Sequence, residues 1–175
     1  MDRFLKTFGA SPVKQSESIL TMKTKYISTL LSLAFIAVGC IHADPATGPV
    51  QTVAISATDT LRFSVTEIDA HPGQQLHVVL TNETNMPKDT MGHNWVLLKA
   101  DEDPMAYATA ALSAKDEGYL PKAFADKVVA SIAMLGPKET GEVTFTAPTV
   151  PGSYPYICSC AGHSMAGMRG VLIVK

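Results

Sequence analysis

The chain has 175 residues, of which 46% are hydrophobic, and a formal net charge of −2. Beyond residue 40 it holds 9 Lys and Arg against 14 Asp and Glu, a net charge of −5, which argues against binding to nucleic acid or to an anionic lipid surface. The residues beyond position 40 are numerous enough for one domain with its own hydrophobic core.

Residues 1–40 are predicted to be a signal or leader region. The segment "MKTKYISTLLSLAFIAVGC", residues 22–40, has two lysines, an apolar run and small residues, which is typical of a secretory signal. The apolar run is shorter than the roughly 20 residues that span a membrane. We expect Met22 to be the true start, with cleavage either before Cys40, as in lipoproteins, or after Ala43. In both cases the protein is exported, and lipidation of Cys40 is the only membrane attachment expected.

Residues 41–50 are predicted to be a linker, and residues 51–175 one β domain. Short runs of alternating apolar and polar residues are separated by turn-forming residues, a pattern typical of an antiparallel β-sandwich or small barrel. The runs occupy residues 53–57, 61–68, 76–82, 94–100, 131–135, 141–148, 151–158 and 170–175.

A short helical insertion is predicted around residues 104–130. The segment "PMAYATAALSAK" is rich in alanine, has helical spacing and opens with proline, which suits a first helical turn. The segment "LPKAFADKVVA" can add further turns. The fold class is therefore all-β with one helical interruption.

Candidate metal ligands concentrate near the C-terminus, in "YICSCAGHSMAGM", residues 156–168. This stretch offers thiols, an imidazole and thioethers, and a second imidazole, His93, lies where a loop enters an apolar run. The two cysteines are too close for a useful structural disulfide, so in an exported chain they indicate a metal. Two histidines, one cysteine and a weakly bound methionine form the donor set of a blue-copper electron-transfer site.

The spacing leaves two of the ligands open. Cys158 gives a Cys-x4-His motif with His163, whereas Cys160 gives Cys-x2-His. Met165 and Met168 both follow His163 closely enough to complete the same loop. Alternation along the preceding strand does not separate the two cysteines, because both would lie on one face if the strand continued.

Several segments of the chain match one known family. They are "NMPKDTMGHNWVL", "AMLGPKETGEVTF", "PGSYPYIC", "GHS" and "MRGVLIVK". Through them the chain resembles the cupredoxins, and among these the azurin group, over roughly residues 50–175. The resemblance implies a Greek-key β-sandwich with one type 1 copper ion that transfers single electrons. It also implies a protein that is not an enzyme.

The resemblance implies the ligands His93, Cys158, His163 and Met168, with the backbone carbonyl of Gly92 as a weak axial donor. Cys158 is favoured over Cys160 because "PGSYPYIC" matches the family pattern Pro-Gly-x-Tyr-x-(Tyr/Phe)-x-Cys. Met168 is favoured because it precedes a glycine-containing strand, although its step from His163 is one residue longer than in azurins.

The resemblance also suggests roles for two residues close to the ligands, Asn94 and Cys160. Asn94 would hydrogen-bond the backbone beside Cys158 and so orient the ligand loop. Cys160 replaces an aromatic residue of azurins, either as an apolar filler or as a second thiol that oxidises with Cys158 when copper is absent. The N-terminal disulfide of azurins has no counterpart, since no cysteine lies between Cys40 and Cys158.

An apolar docking patch is expected around His163, the ligand predicted to be exposed. The patch comprises Met91, Pro87, Met165 and Ala161. Small apolar patches serve transient redox contacts. We therefore expect redox partners such as cytochromes or copper- or haem-containing reductases, and a periplasmic or otherwise exported location.

Two alternative functions use the same donors. A periplasmic copper carrier or chaperone would exploit the paired cysteines, although carriers usually favour exposed Met- and Cys-rich sites. A cupredoxin-fold copper enzyme would need an open coordination position, which an axial methionine argues against.

Overall fold

The computed structural model describes residues 48–175, and the structural statements below concern this part of the chain. The predicted leader at residues 1–40, with its start at Met22 and lipidation at Cys40, lies outside the described residues, as does most of the linker at residues 41–50. No helix in the described range is long and apolar enough to cross a membrane.

Eight strands form two sheets around a shared core, which confirms the predicted β-sandwich. The strands are β1 Gln51–Ala57, β2 Glu67–Ala70, β3 Gln75–Asn82, β4 His93–Leu98, β5 Val128–Leu135, β6 Thr140–Thr146, β7 Gly152–Ile157 and β8 Arg169–Val174. One sheet has the order β1-β3-β6, and the other has the order β2-β8-β7-β4-β5.

The pairing is mixed, whereas the sequence pattern predicted an antiparallel sandwich. β1 pairs in parallel with β3, and β2 with β8, while the remaining pairs are antiparallel. Alternation of apolar residues shows which face of a strand is buried but not which way its neighbour runs. The order of the larger sheet matters for the site, because it sets the end of β7 beside the start of β4.

β4 is buried on both faces. All six residues of His93–Leu98 are buried. Trp95 and Leu97 pack into the core shared by the two sheets. Val96 and Leu98 point the other way and pack under the helical insertion. Packing on both faces makes the strand a rigid support for the side chain of His93, its first residue.

The helical insertion is present where the sequence predicted it, except that residues 128–130 already belong to β5. It consists of α2 Pro104–Leu112 and two short 3-10 helices, Lys115–Glu117 and Lys122–Lys127. The carboxylate of Asp103 caps α2 by accepting the backbone N–H of Met105 at 2.8 Å. A further single-turn helix, α1 Lys88–Met91, was not predicted, because four residues are too few to show a helical period.

The prediction of a strand at residues 61–68 is wrong for residues 61–66. Only Glu67–Ala70 forms a strand there, and Phe63 makes one isolated bridge to Ala57. Leu61 adopts a left-handed backbone conformation with φ of 55°, which interrupts an extended chain. This stretch is a turn that leads from the smaller sheet to the larger one.

Candidate metal centre

The first half of the site is the entry to β4. His93 is the first residue of this strand and is 0% exposed. A Cβ on the preceding Gly92 would lie 2.5 Å from the backbone oxygen of Lys88 and 2.9 Å from Sδ of Met134. Only glycine fits this close approach. The tight turn from α1 into β4 therefore holds the backbone of His93 in place.

The second half is the connection between β7 and β8, residues 158–168, named the 158–168 loop below. The backbone N–H of Cys158 donates to the carbonyl of Met168 at 3.0 Å, and the N–H of Met168 donates to the carbonyl of His163 at 3.0 Å. These two bonds draw Cys158, His163 and Met168 together at the base of the loop. Because β7 neighbours β4, the base lies beside His93.

Three donor side chains from the two halves meet. The ligand atoms of His93, Cys158 and His163 all lie within 4.8 Å of one another, and all three residues are buried. The Sγ atom of Cys158 is 3.9 Å from Nδ1 of His93 and 3.5 Å from Nδ1 of His163. Both imidazoles therefore present the same ring nitrogen to one sulfur.

Burial sets the protonation of these donors in the metal-free chain. It raises the pKa of the Cys158 thiol to about 12, while the backbone N–H groups of Asn94 and Cys160 act in the opposite direction. Burial, together with the neighbouring His163, lowers the pKa of His93 to about 4. Burial also lowers the pKa of His163. At neutral pH both imidazoles are neutral ligands, and a cation can replace the thiol proton.

The donor chemistry fits a copper ion. Imidazole and thiolate together favour copper or zinc over magnesium or calcium, which prefer oxygen. Metal bonds of about 2 Å are compatible with one ion shared by donors that lie 3.5 and 3.9 Å apart. The N–H groups of Asn94 and Cys160 would further stabilise a negative sulfur.

A buried chain of hydrogen bonds joins the two halves. Asn94 accepts the backbone N–H of Ser159 through Oδ1 and donates to Ser159 Oγ through Nδ2, both at 2.8 Å. Ser159 Oγ in turn donates to the carbonyl of Tyr119 at 2.6 Å. Sequence reasoning singled out Asn94 but missed Ser159 and Tyr119, since a loop serine and a backbone carbonyl leave no pattern.

The remaining candidate ligands differ in burial. Met168 is fully buried, whereas Met165 is 52% exposed. Cys160 is buried in the hydrophobic core, and its thiol is not in the three-donor group. Cys158 and Cys160 are both free thiols.

The predicted rim residues have unequal access to solvent. Pro87, Ala161 and Met165 are exposed, and Met91 is half-buried. His163 was expected to be the exposed ligand, but its side chain is only 5% exposed. Its ring packs against that of His93, with 5.0 Å between the ring centroids.

A family of copper-binding proteins, the plastocyanin/azurin family, matches residues 50–175. Auracyanin-B of Chloroflexus aurantiacus is 37% identical over 128 residues, which cover 72% of this chain and 53% of that protein. The chain thus spans about half the length of that relative. Azurin of Pseudomonas chlororaphis is 35% identical over 127 residues, which cover 70% of this chain and 97% of that protein.

Solved structures show the same likeness. Auracyanin A, a "blue" copper protein of Chloroflexus aurantiacus, superimposes with a TM-score of 0.64 and 35% identity, covering 73% of this chain and 100% of that one. A structure of auracyanin B gives a TM-score of 0.63 and 34% identity, covering 74% of this chain and 92% of that one. The likeness in sequence and in fold therefore covers the described β-sandwich.

Proposed function

Because the chain belongs to the plastocyanin/azurin family of copper-binding proteins, we propose that it carries single electrons between larger redox proteins. It is a blue copper protein with one type 1 copper per chain. The observation that carries the proposal is the buried group of His93, Cys158 and His163, whose donor atoms lie within 4.8 Å of one another. Bound copper supplies the change between Cu(I) and Cu(II).

The chain's own contribution is to hold the donors still. An electron moves with a small barrier when the site hardly rearranges between oxidation states. His93 is fixed by a strand that is buried on both faces. Cys158 and His163 are each tied by backbone bonds to Met168, and burial keeps water away from all three donors.

We assign the sulfur ligand to Cys158 and the axial thioether to Met168. Cys158 is supported by its distances of 3.9 and 3.5 Å to the two imidazoles, whereas Cys160 is not in the donor group. Met168 is supported by its complete burial and its bond to His163, whereas Met165 is 52% exposed.

Gly92 and Asn94 complete the proposed site. The carbonyl of Gly92 is the proposed weak axial donor, supported by the place of this residue directly before His93 in the chain. Asn94 is the proposed brace, supported by its two hydrogen bonds to Ser159, the residue after the sulfur ligand. Such outer contacts orient ligands and tune the metal.

The proposed docking surface is the rim around His163. It is formed by Met91, Pro87, Met165 and Ala161, of which three are exposed and one is half-buried. A small apolar surface above a ligand suits short-lived contacts with partners such as cytochromes or copper- or haem-containing reductases. In this proposal the protein is not an enzyme by itself.

We also propose that the β domain, residues 51–175, is exported. The signal pattern of residues 22–40 supports this location. Lipidation of Cys40 would tether the domain through the linker at residues 41–50, whereas cleavage after Ala43 would release it. The mass of the mature N-terminus distinguishes the two.

The decisive experiment is the visible spectrum of the copper-loaded protein beside Cys158→Ser and Cys160→Ser. We expect an intense blue band in the wild type and in Cys160→Ser, and its loss in Cys158→Ser. Loss only in Cys160→Ser would move the ligand to that cysteine. A colourless wild type that still binds Cu(I) would overturn the electron-transfer proposal and favour a copper carrier.

A further inference from the structure

Arg62 reaches from the turn after β1 to the 158–168 loop. Its Nη1 donates to the carbonyl of Ala166 at 2.6 Å and to the carbonyl of Leu61 at 2.8 Å. A Cβ on Gly167 would lie 3.0 Å from the Cζ and Nη1 atoms of the guanidinium, so this group lies against the Gly167 backbone. An exposed side chain thus bridges two loops that are far apart in sequence.

The segment that Arg62 contacts is the part of the loop between His163 and Met168. Gly167 has φ of 104°, a conformation open to glycine and strained for other residues. The N–H of Ala166 donates to the carbonyl of Gly162 at 2.9 Å. The Ala166–Gly167 turn leads directly into Met168, so the position of this turn constrains the backbone of Met168.

The other end of the bridge is a turn held in an unfavourable conformation. Leu61 has φ of 55°, a left-handed conformation that is disfavoured for a residue with a bulky side chain. The Nη1 atom of Arg62 donates to the carbonyl of this same residue, and the N–H of Leu61 donates to the carbonyl of Thr58 at 3.1 Å. The turn directs the guanidinium of Arg62 towards the 158–168 loop.

We propose that Arg62 is a positioning residue that holds the Ala166–Gly167 turn and thereby sets how closely Met168 approaches the metal. The inference rests on the proposed assignment of Met168 as the axial ligand. Hydrogen bonds from a charged donor are stronger than neutral ones, and one Nη1 here serves two carbonyls. The axial ligand tunes the reduction potential of such sites, so Arg62 would act on that potential through geometry.

Charge alone is the competing explanation, and the chain offers a matched control. Arg169 directly follows Met168, and its Nη1 faces the Sδ atom of Met105 at 3.9 Å instead of a loop carbonyl. Arg169→Met removes the same charge close to the same ligand. Arg62→Met removes the charge and the bridge, whereas Arg62→Lys keeps the charge without the planar guanidinium.

The first measurement is amide hydrogen exchange at Gly167 and Met168 in the copper-free protein. The loss of a charge-assisted bond should speed local opening by about tenfold. We expect this increase in Arg62→Met, a smaller increase in Arg62→Lys, and none in Arg169→Met. The second measurement is the visible spectrum and reduction potential of the copper-loaded variants, where Arg62→Met should shift both and Arg62→Lys should not restore the spectrum.

Three results would overturn the inference: wild-type exchange in Arg62→Met, equal acceleration in Arg169→Met, or full restoration by Arg62→Lys. The failure of the proposed function looks different. In that case the wild type has no blue band, while exchange in the copper-free protein still reports whether Arg62 holds the turn.

Discussion

His93 and His163 present the same ring nitrogen to one sulfur, but two different kinds of structure hold them. His93 begins a strand that is buried on both faces and paired on both sides. His163 lies in a loop held by individual hydrogen bonds, next to the exposed Gly162. One half of the site therefore depends on packing, and the other depends on single polar contacts. Substitutions should therefore act differently on the two halves.

Removal of the link between the halves should have the largest effect. Asn94→Ala leaves the buried N–H of Ser159 without its acceptor, which should lower the free energy of unfolding by about 2–3 kcal/mol. Urea unfolding of the copper-free protein measures the change. Asn85→Ala, at an exposed asparagine, is the matched control and should stay within about 0.5 kcal/mol. Equal losses in both variants would show that Asn94 does not link the halves.

The half of the site formed by the entry to β4 can be tested alone by a substitution of Gly92. Gly92→Ala places a methyl group 2.5 Å from the backbone oxygen of Lys88, so α1 must shift. We expect a loss of about 1–3 kcal/mol in stability and weaker copper binding, measured by thermal unfolding and by metal titration. Gly48→Ala, which meets no atom within 4 Å, is the control. An unaltered Gly92→Ala protein would contradict the close packing.

Acid should weaken the copper-free protein through both halves. The pKa of His93 is about 4 in the native chain against the ordinary 6.5 when unfolded. Between these values the unfolded chain binds a proton that the native chain does not, so stability falls as pH decreases from about 6.5 towards 4. The lowered pKa of His163 acts in the same direction.

Thermal unfolding at pH 7 and pH 5 measures this dependence. His93→Asn should remove part of it, because the substituted side chain has no imidazole to protonate. A melting temperature that rises on acidification would contradict the assignment of buried neutral imidazoles.

Substitutions in the proposed docking surface around His163 should have the smallest effect on the metal site itself. Met165→Glu adds a charge at a side chain that is 52% exposed, so stability and the blue spectrum should stay unchanged. Electron exchange with partner proteins should slow, because a charge must be desolvated in the contact. Val150→Glu, at a 67% exposed residue before β7, is the control at the opposite end of that strand. Equal rates in both variants would argue against docking at the rim.

Much of the candidate site could be predicted because its residue types are chemically specific. Thiol, imidazole and thioether in one short segment already indicate a soft metal, whatever the fold. The choice between Cys158 and Cys160 could not be made from spacing. In the structure the Sγ atom of Cys158 lies 3.9 Å from Nδ1 of His93, whereas Cys160 is buried in the core outside the three-donor group.

The errors in the fold have a related cause. Residues 61–68 alternate as a strand should, yet Leu61 adopts a left-handed conformation that its own side chain disfavours. Contacts with the 158–168 loop through Arg62 accompany this turn. The local pattern of apolar and polar residues cannot reveal a contact with residues that lie about a hundred positions away in the sequence.

The amino-acid sequence alone was enough to identify the soft donors, the alternating strands and the helical insertion, since each is a property of residue type and short-range periodicity. The three-dimensional fold decided which donors meet, which polar groups brace them and how deeply His163 is buried. Those outcomes depend on contacts between distant segments, such as Asn94 with Ser159 across 65 positions and Arg62 with Ala166 across 104. Such contacts form only when packing of the two sheets brings the segments together.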